Sequence, residues 1–157
     1  MQEYLGPAIA VFALGHGFVI DRLAVAHRLY EHAARRHALL AEATRQAVAR
    51  WAEGRVLDFN VRHAAERANS VTTILMPDRD PRALSDYCRN KCGVVLGVGI
   101  GDLSGKAFRI AHMGHVNAPM ILGTLSVIEM GLAALSIPHA KGGAQAAIDW
   151  LSDQVKV

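Results

Sequence analysis

The strongest pattern in the chain is a long run of helix-forming residues. Asp21–Glu53 contains no glycine or proline and is rich in alanine, leucine, arginine and glutamate, which favour helices. Its larger apolar side chains recur at steps near three, four and seven: Leu29, Leu40, Val48 and Trp51. This spacing predicts one long helix with a narrow apolar stripe. The arginines along it suit either an anion- or membrane-binding face or a solvated face that packs on another domain, and we favour the second interpretation.

Beyond Gly54 the pattern changes to short alternating or β-branched runs. Four segments have the character of strands: Val56–Val61, Ser70–Met76, Val94–Leu96 and Ala107–His112. Three further helices are predicted between and after them. The first begins at Asp80-Pro81, where a cap residue is followed by a first-turn proline. It stops near Gly93, a residue type that commonly follows the end of a helix.

The other two helices complete the predicted fold. One starts at Asn117 and carries an apolar stripe made of Ile121, Leu125, Ile128, Leu132 and Leu135. The last follows Gly142-Gly143. The order of elements predicts an α+β fold, in which a small antiparallel or mixed sheet has helices packed on one face and a long helix precedes it.

Length and composition narrow the class of protein. The 157 residues are enough for one ordinary domain. A hydrophobic content of 52%, with 20% charged residues, excludes a disordered or collagen-like chain. The net charge of +3 predicts no nucleic-acid partner. Cys88 and Cys92 lie too close in sequence to frame a secreted disulfide scaffold, so we expect a cytoplasmic protein.

The beginning of the chain is an apolar N-terminal segment, residues 1–20, that we separate from the domain predicted over residues 21–157. Tyr4–Ile20 has no charged side chain, yet no lysine or arginine precedes it, as a signal peptide requires. Three glycines and a proline interrupt it, and 17 residues are short for a membrane span. We therefore expect no membrane partner.

Several familiar motifs are absent from the glycine-rich stretch that follows Gly93. A dinucleotide fingerprint would need a glycine at Asp102, and a P-loop would need one more residue between Gly101 and Gly105. Two cysteines and two histidines could in principle assemble four soft metal ligands, namely Cys88, Cys92, His112 and His115. Their spacing matches no familiar zinc module, so we predict no metal site.

Arg109 is the candidate functional residue. It lies mid-strand between Phe108 and Ile110, just after the glycine-rich stretch, and alternation places it on the opposite face from both. A guanidinium on a sheet face is suited to bidentate capture of a carboxylate. The alternative is a structural ion pair with a local acid such as Asp102, and the residues alone favour neither.

The segment around Arg109 resembles the class V, fold-type I pyridoxal-phosphate (PLP) aminotransferases, in their alanine–glyoxylate and serine–glyoxylate branch. That branch carries, near its C-terminus, a pattern like Tyr-Gly-Val-x-x-Gly-Gly and then Gly-Lys-x-x-Arg-Ile-Gly-His-Met-Gly. Gly93–Gly97 and Gly105–Gly114 match it, with Ala111 and Cys92 as departures. The likeness extends to three further segments: Arg35–Trp51, Asn69–Thr72 and Met130–Leu135.

The resemblance implies that residues 21–157 correspond to the small C-terminal domain of such an enzyme. In the family the position of Arg109 binds the α-carboxylate of the substrate, and the cofactor lysine lies in a preceding large domain. The four lysines of this chain, at positions 91, 106, 141 and 156, do not match the cofactor-lysine context. We therefore assign no catalytic, cofactor-binding or metal residue, and expect PLP to belong to the parent family without being bound by this chain alone.

The resemblance also implies the reaction and the partners. The parent enzyme moves an amino group between a small amino acid, alanine or serine, and glyoxylate or another 2-oxo acid. The chain would then need a large PLP domain as partner, would be inactive without it, and would self-associate where its uncovered apolar surfaces meet. The alternative is a non-enzymatic α+β module that binds small acids or a partner protein.

Overall fold

A computed structural model of the chain describes the backbone of residues 17–154 and the side chains of residues 24–154. The predicted N-terminal segment, residues 1–20, lies outside the described side chains. Packing divides the chain into two units, one up to Arg35 and one from Arg36. The division falls within helix α1, Gly17–Ala52, which confirms the long helix predicted over Asp21–Glu53. No helix within residues 17–154 is long and apolar enough to cross a bilayer.

The described side chains of the first unit are almost all exposed. They include the apolar residues Val25, Leu29 and Tyr30. His27 and Glu31, one helical turn apart, approach to 3.2 Å on the exposed surface.

The second unit contains the rest of α1, three more helices and a four-stranded sheet. The helices are α2 Pro81–Cys92, α3 Ala118–Ala134 and α4 Gly143–Gln154. The strands are β1 Asp58–Phe59, β2 Val71–Leu75, β3 Gly97–Val98 and β4 Ala107–Ala111. Short 3-10 turns occupy Ala64–Glu66 and Gly101–Leu103. This arrangement confirms the predicted α+β class.

The sheet is antiparallel throughout, with the strand order β1-β2-β4-β3. The prediction of a strand at Val94–Leu96 is wrong, because pairing with β4 begins only at Gly97. Gly93 adopts a left-handed conformation at the end of α2, and the Val94 N–H bonds back to the Cys88 carbonyl. Helix termination therefore uses the backbone of Val94 before the chain can join the sheet.

One face of the sheet forms the core together with the helices. Ile74, Met76 and Phe108 are fully buried, and Ile110 is nearly so. The helices contribute four of the five residues of the predicted α3 stripe and three residues of α1: Ile121, Leu125, Ile128, Leu132, Leu40, Val48 and Trp51. The fifth stripe residue, Leu135, follows the end of α3 and is partly buried against the core. The opposite face of the sheet therefore carries the alternate residues of β2 and β4.

The ends of the helices follow the sequence signals. The Asp80 carboxylate accepts the Arg82 N–H at 2.9 Å, and Pro81 occupies the first turn of α2. The Asn117 side chain caps α3 in the same way by accepting the Met120 N–H. Such caps satisfy backbone donors that have no partner within the helix.

Glu129 of α3 joins that helix to the start of α4. Its carboxylate accepts backbone N–H groups from Gly142 and from Ala144, the latter at 2.9 Å. Burial raises the pKa of Glu129, but the hydrogen bonds from Ala144 and Gly142, together with the nearby Trp51 indole and Gly143, outweigh it. The net pKa is therefore lowered, because the hydrogen bonds stabilise the charged form.

Candidate functional site

Arg109 occupies the centre of β4 with its side chain on the face opposite the core. Its neighbours Phe108 and Ile110 are 0% and 2% exposed, whereas Arg109 is half-buried. The strand places Thr73 of β2 and Gly97 of β3 directly opposite Arg109 on either side. The predicted alternation along this strand is therefore confirmed.

The guanidinium of Arg109 is held at one nitrogen. Its Nε donates a hydrogen bond to the backbone carbonyl of Val98 at 2.8 Å. Among the residues from 24 to 154, the two Nη atoms have no hydrogen-bond partner and no carboxylate lies within 4.0 Å. Arg109 is thus not paired with Asp102 in this structure, and the two Nη atoms remain able to donate parallel hydrogen bonds to a planar anion.

The glycine-rich stretch before Arg109 folds into a compact hairpin connection between β3 and β4. Gly99 donates its N–H to the Ala107 carbonyl at 2.9 Å, and a side chain at Gly99 would collide with the Leu103 carbonyl. Gly101 and Gly105 both have positive φ angles, at 56° and 71°. These glycines therefore permit close backbone approach and left-handed turns, which fixes the hairpin next to the arginine.

The polar neighbour of Arg109 across the sheet is Thr73, which sequence reasoning did not select. It is half-buried on β2, in register with the arginine. Cross-strand partners on one face have their Cβ atoms about 5 Å apart. The alternation of Ser70–Met76 was the available signal, since it places Val71, Thr73 and Leu75 on one face.

His112, directly after β4, is buried and bonded to residues at the start of β2. Its ring is fully buried, with Nδ1 3.1 Å from the Asn69 carbonyl and Nε2 3.0 Å from the Thr72 hydroxyl. Burial lowers the pKa of His112 to about 4. The neutral ring therefore donates from Nδ1 to the carbonyl and accepts the hydroxyl proton at Nε2.

The loop after His112 is fastened to α1. Arg36 donates to the Gly114 carbonyl at 2.7 Å, and the His37 Nε2 lies 3.3 Å from the same oxygen. Arg45, further along α1, donates to the Ala68 carbonyl at 2.8 Å and to the Asn69 side chain at 3.1 Å. These contacts hold the segment before β2 and the segment after β4, which lie at the same end of the antiparallel pair, against one helix. Single-sequence patterns do not reveal them.

The other proposed soft ligands do not assemble around His112. Burial raises the pKa of the Cys88 thiol to about 11, so the thiolate form that binds metals is disfavoured. Across residues 24–154, no three histidine, cysteine or acidic side chains are grouped so as to hold a metal ion.

Two cavities among the described residues are small compared with a cofactor pocket. Their volumes are about 130 and 140 Å³, one beside Arg82 and Ser104 and one beside Arg67 and Thr73. Both fall below the roughly 300 Å³ at which ligand pockets usually begin. The three described lysines, at positions 91, 106 and 141, are exposed and line neither cavity.

Comparison with known proteins gives related sequences and related structures. No protein-family model matches the chain. It is 34% identical over 118 residues to a serine–glyoxylate aminotransferase of Methylorubrum extorquens, across 74% of this chain and 28% of that protein. It is 32% identical over 117 residues to a serine–glyoxylate aminotransferase of Arabidopsis thaliana, across 71% of this chain and 27% of that protein.

The structural comparison points to the same group of proteins. The pyridoxamine–pyruvate aminotransferase of Mesorhizobium loti matches with a TM-score of 0.70 and 28% identity, over 77% of this chain and 31% of that one. The chain thus spans a little over a quarter of the length of the curated relatives it matches.

Proposed function

Because this chain is related to a C-terminal portion of the class V, PLP-dependent aminotransferases, we propose that it is the substrate-carboxylate-binding domain of such an enzyme. The enzyme would transfer an amino group between a small amino acid and glyoxylate or another 2-oxo acid. Arg109 would hold the α-carboxylate that both substrates share. The observation that carries this proposal is the Arg109 guanidinium, held at Nε by the Val98 carbonyl, with both Nη atoms unpaired among residues 24–154.

The chemistry of the arginine suits this role. Arginine stays charged at physiological pH and presents its donors in a rigid plane that matches the two oxygens of a carboxylate. Each hydrogen bond to a charged group contributes about 1.5–3 kcal/mol. Holding the carboxylate at a fixed position on a sheet also orients the adjacent Cα, the atom at which amino-group transfer takes place. The domain's contribution is thus binding and orientation.

We place the cofactor on a separate PLP-binding domain that acts with residues 21–157. PLP supplies the electron sink for amino transfer when it is bound. The described lysines of this chain are exposed and line neither of the two cavities, so the proposal routes no chemical step through them. On this proposal the chain alone binds carboxylates and does not transaminate.

We further propose that the chain self-associates, as a dimer or larger assembly, and works in the cytoplasm. The support for association is the exposed apolar surface of the first unit: Val25, Leu29 and Tyr30 are 46%, 65% and 53% exposed. Exposed apolar side chains of this size favour contacts with another chain when they lie together. The support for a reducing compartment is that Cys88 and Cys92 are both free.

A carboxylate titration tests the proposed function. Glyoxylate is added to the ¹⁵N-labelled chain, and amide shifts around Gly97, Val98 and Arg109 are followed by NMR. We expect saturable shifts there in the wild type. In Arg109→Lys we expect an affinity at least about tenfold weaker, because lysine lacks the two parallel N–H donors of the guanidinium. The matched control is Arg89→Lys, an exposed arginine of α2, which should bind as the wild type does.

Two results would count against the proposed function. Equal affinity of wild type and Arg109→Lys would remove Arg109 from the site. Absence of glyoxylate binding by the folded wild-type chain would favour a non-enzymatic module that binds a partner protein.

A further inference from the structure

The approach between Gly97 and Arg109 is unusually close for two paired strands. The residues face each other across β3 and β4. A Cβ built on Gly97 would lie 3.1 Å from the Arg109 Cβ, 3.3 Å from its carbonyl oxygen and 3.5 Å from Nε. Ordinary cross-strand Cβ atoms are about 4.5–5.5 Å apart. The space beside Gly97 is therefore filled by the arginine side chain.

Backbone conformation does not explain this glycine. Five described glycines have positive φ angles, namely Gly93, Gly101, Gly105, Gly114 and Gly142, and Gly97 is not among them. An L-residue could adopt the Gly97 backbone without strain. What glycine supplies at this position is the absence of a side chain on the face where Arg109 lies.

The hydrogen bond at Nε follows from that space. The Arg109 side chain reaches over β3 and donates from Nε to the carbonyl of Val98, the residue after Gly97. A guanidinium can bind a carboxylate side-on, through Nε and one Nη, or end-on, through both Nη atoms. Since the Val98 carbonyl occupies Nε, only the end-on pair is unengaged by described residues.

We propose that Gly97 is a positioning residue for the Arg109 site, and that the site binds carboxylates end-on through Nη1 and Nη2 while Nε stays bonded to the Val98 carbonyl. The inference rests on the proposed carboxylate-binding function and specifies its geometry. Gly97 acts through Arg109 and need not touch the carboxylate. The hydrogen bond to the Val98 carbonyl fixes the direction of the two Nη donors before any ligand binds. Less side-chain freedom is therefore lost on binding.

Gly97→Ala is the informative substitution. A methyl group must displace the arginine by a few tenths of an ångström, which weakens the Nε hydrogen bond and misaligns the two Nη donors. A misplacement of about 1 Å can cost about a hundredfold in an aligned site, so we expect glyoxylate to bind about three- to tenfold more weakly. The matched control is Gly123→Ala on α3, where a Cβ meets no atom within 4 Å.

The readout is the Arg109 Nε–H resonance of the ¹⁵N-labelled full chain, assigned by its loss in Arg109→Lys. In the wild type and in Gly123→Ala we expect slow solvent exchange of this proton and little change on adding glyoxylate. In Gly97→Ala we expect faster exchange and weaker binding, while thermal unfolding reports whether the variant remains folded. A folded Gly97→Ala with wild-type exchange and affinity overturns the proposal.

Two further outcomes are decisive. A large shift of the Nε–H resonance on glyoxylate addition to the wild type indicates side-on binding and also overturns it. If the wild type binds no carboxylate, the proposed function and the end-on geometry fail together. In that case the exchange rates in wild type and Gly97→Ala still decide whether Gly97 positions the arginine.

Discussion

Glu129 allows a quantitative test of how the helices of the second unit are fixed. Its two carboxylate oxygens accept the N–H groups of Gly142 and Ala144 at the start of α4, where helix geometry leaves donors unpaired. Glu129→Gln preserves the shape of the side chain. It replaces one accepting oxygen with an NH₂ group, which faces a donor and cannot accept its hydrogen bond.

The size of the effect follows from these contacts. Loss of an N-terminal cap costs about 0.5–2 kcal/mol and a charged hydrogen bond contributes about 1.5–3 kcal/mol. One oxygen still accepts in the variant, and Glu129 is partly solvated, so we expect the free energy of unfolding to fall by about 1–2 kcal/mol. For a chain of this size the melting temperature should drop by about 3–6 °C.

The pH dependence of this loss has a definite sign. The pKa of Glu129 lies below its ordinary value of 4.5, because the hydrogen bonds from Ala144 and Gly142 outweigh the opposing effect of burial. A carboxyl group with a lowered pKa in the folded state stabilises the protein above its unfolded pKa. That stabilisation is lost as the pH falls through the folded value. The difference between wild type and Glu129→Gln should therefore be full at pH 7 and shrink below about pH 4.5.

Thermal or urea unfolding at pH 7 and at pH 3–4 measures the loss in the free energy of unfolding and its dependence on pH. Glu66→Gln is the control, because Glu66 is exposed and makes no side-chain hydrogen bond or ion pair among residues 24–154. It should unfold as the wild type does at each pH. A Glu129→Gln protein that matches the wild type at pH 7, or whose deficit is unchanged at acidic pH, would refute this account of Glu129.

Other predictions concern the buried histidine, the cofactor and association. His112→Phe leaves the Thr72 hydroxyl and the Asn69 carbonyl unpaired, so unfolding at pH 7 should be easier by about 2–4 kcal/mol. Because the pKa of His112 is lowered to about 4 in the folded state, acidification from its ordinary 6.5 toward 4 should destabilise the wild type, and His112→Phe should lack this contribution. After incubation with PLP and desalting, the chain should retain no internal-aldimine absorbance, whereas a borohydride-fixed adduct on one lysine would place the cofactor here. Light scattering should find a dimer or larger species, weakened by removal of residues 1–20, and a clean monomer argues against self-association.

Local signals made much of the fold predictable from sequence. The cap residue Asp80 and the first-turn Pro81 predicted where α2 begins, and Gly93 predicted where it ends. The structure has all three in those roles. The outward direction of Arg109 followed from strand alternation alone. The start of β3 was misplaced, because the Val94 N–H is used by the preceding helix.

What the sequence did not reveal are contacts between distant residues. The Arg109 hydrogen bond uses a backbone carbonyl, at Val98, which any residue type could supply. The His112 network joins residues about forty positions apart through one hydroxyl and one carbonyl. Glu129 interrupts an otherwise apolar stretch, but its partners are the N–H groups of another helix. No pattern within a single element encodes such pairs.

The most direct test of the central claim is the kinetics of a chimera. The matching C-terminal part of the Methylorubrum extorquens serine–glyoxylate aminotransferase is replaced by the aligned part of this chain, with Arg109 or with Arg109→Lys, and preparations that fold and show PLP absorbance are assayed. If Arg109 holds the substrate carboxylate, the chimera transaminates. The lysine variant remains folded but loses at least about tenfold in kcat/KM, because hydrogen bonds to a charged group are lost. A lysine variant with normal kcat/KM, or one that is only less stable, would contradict the account.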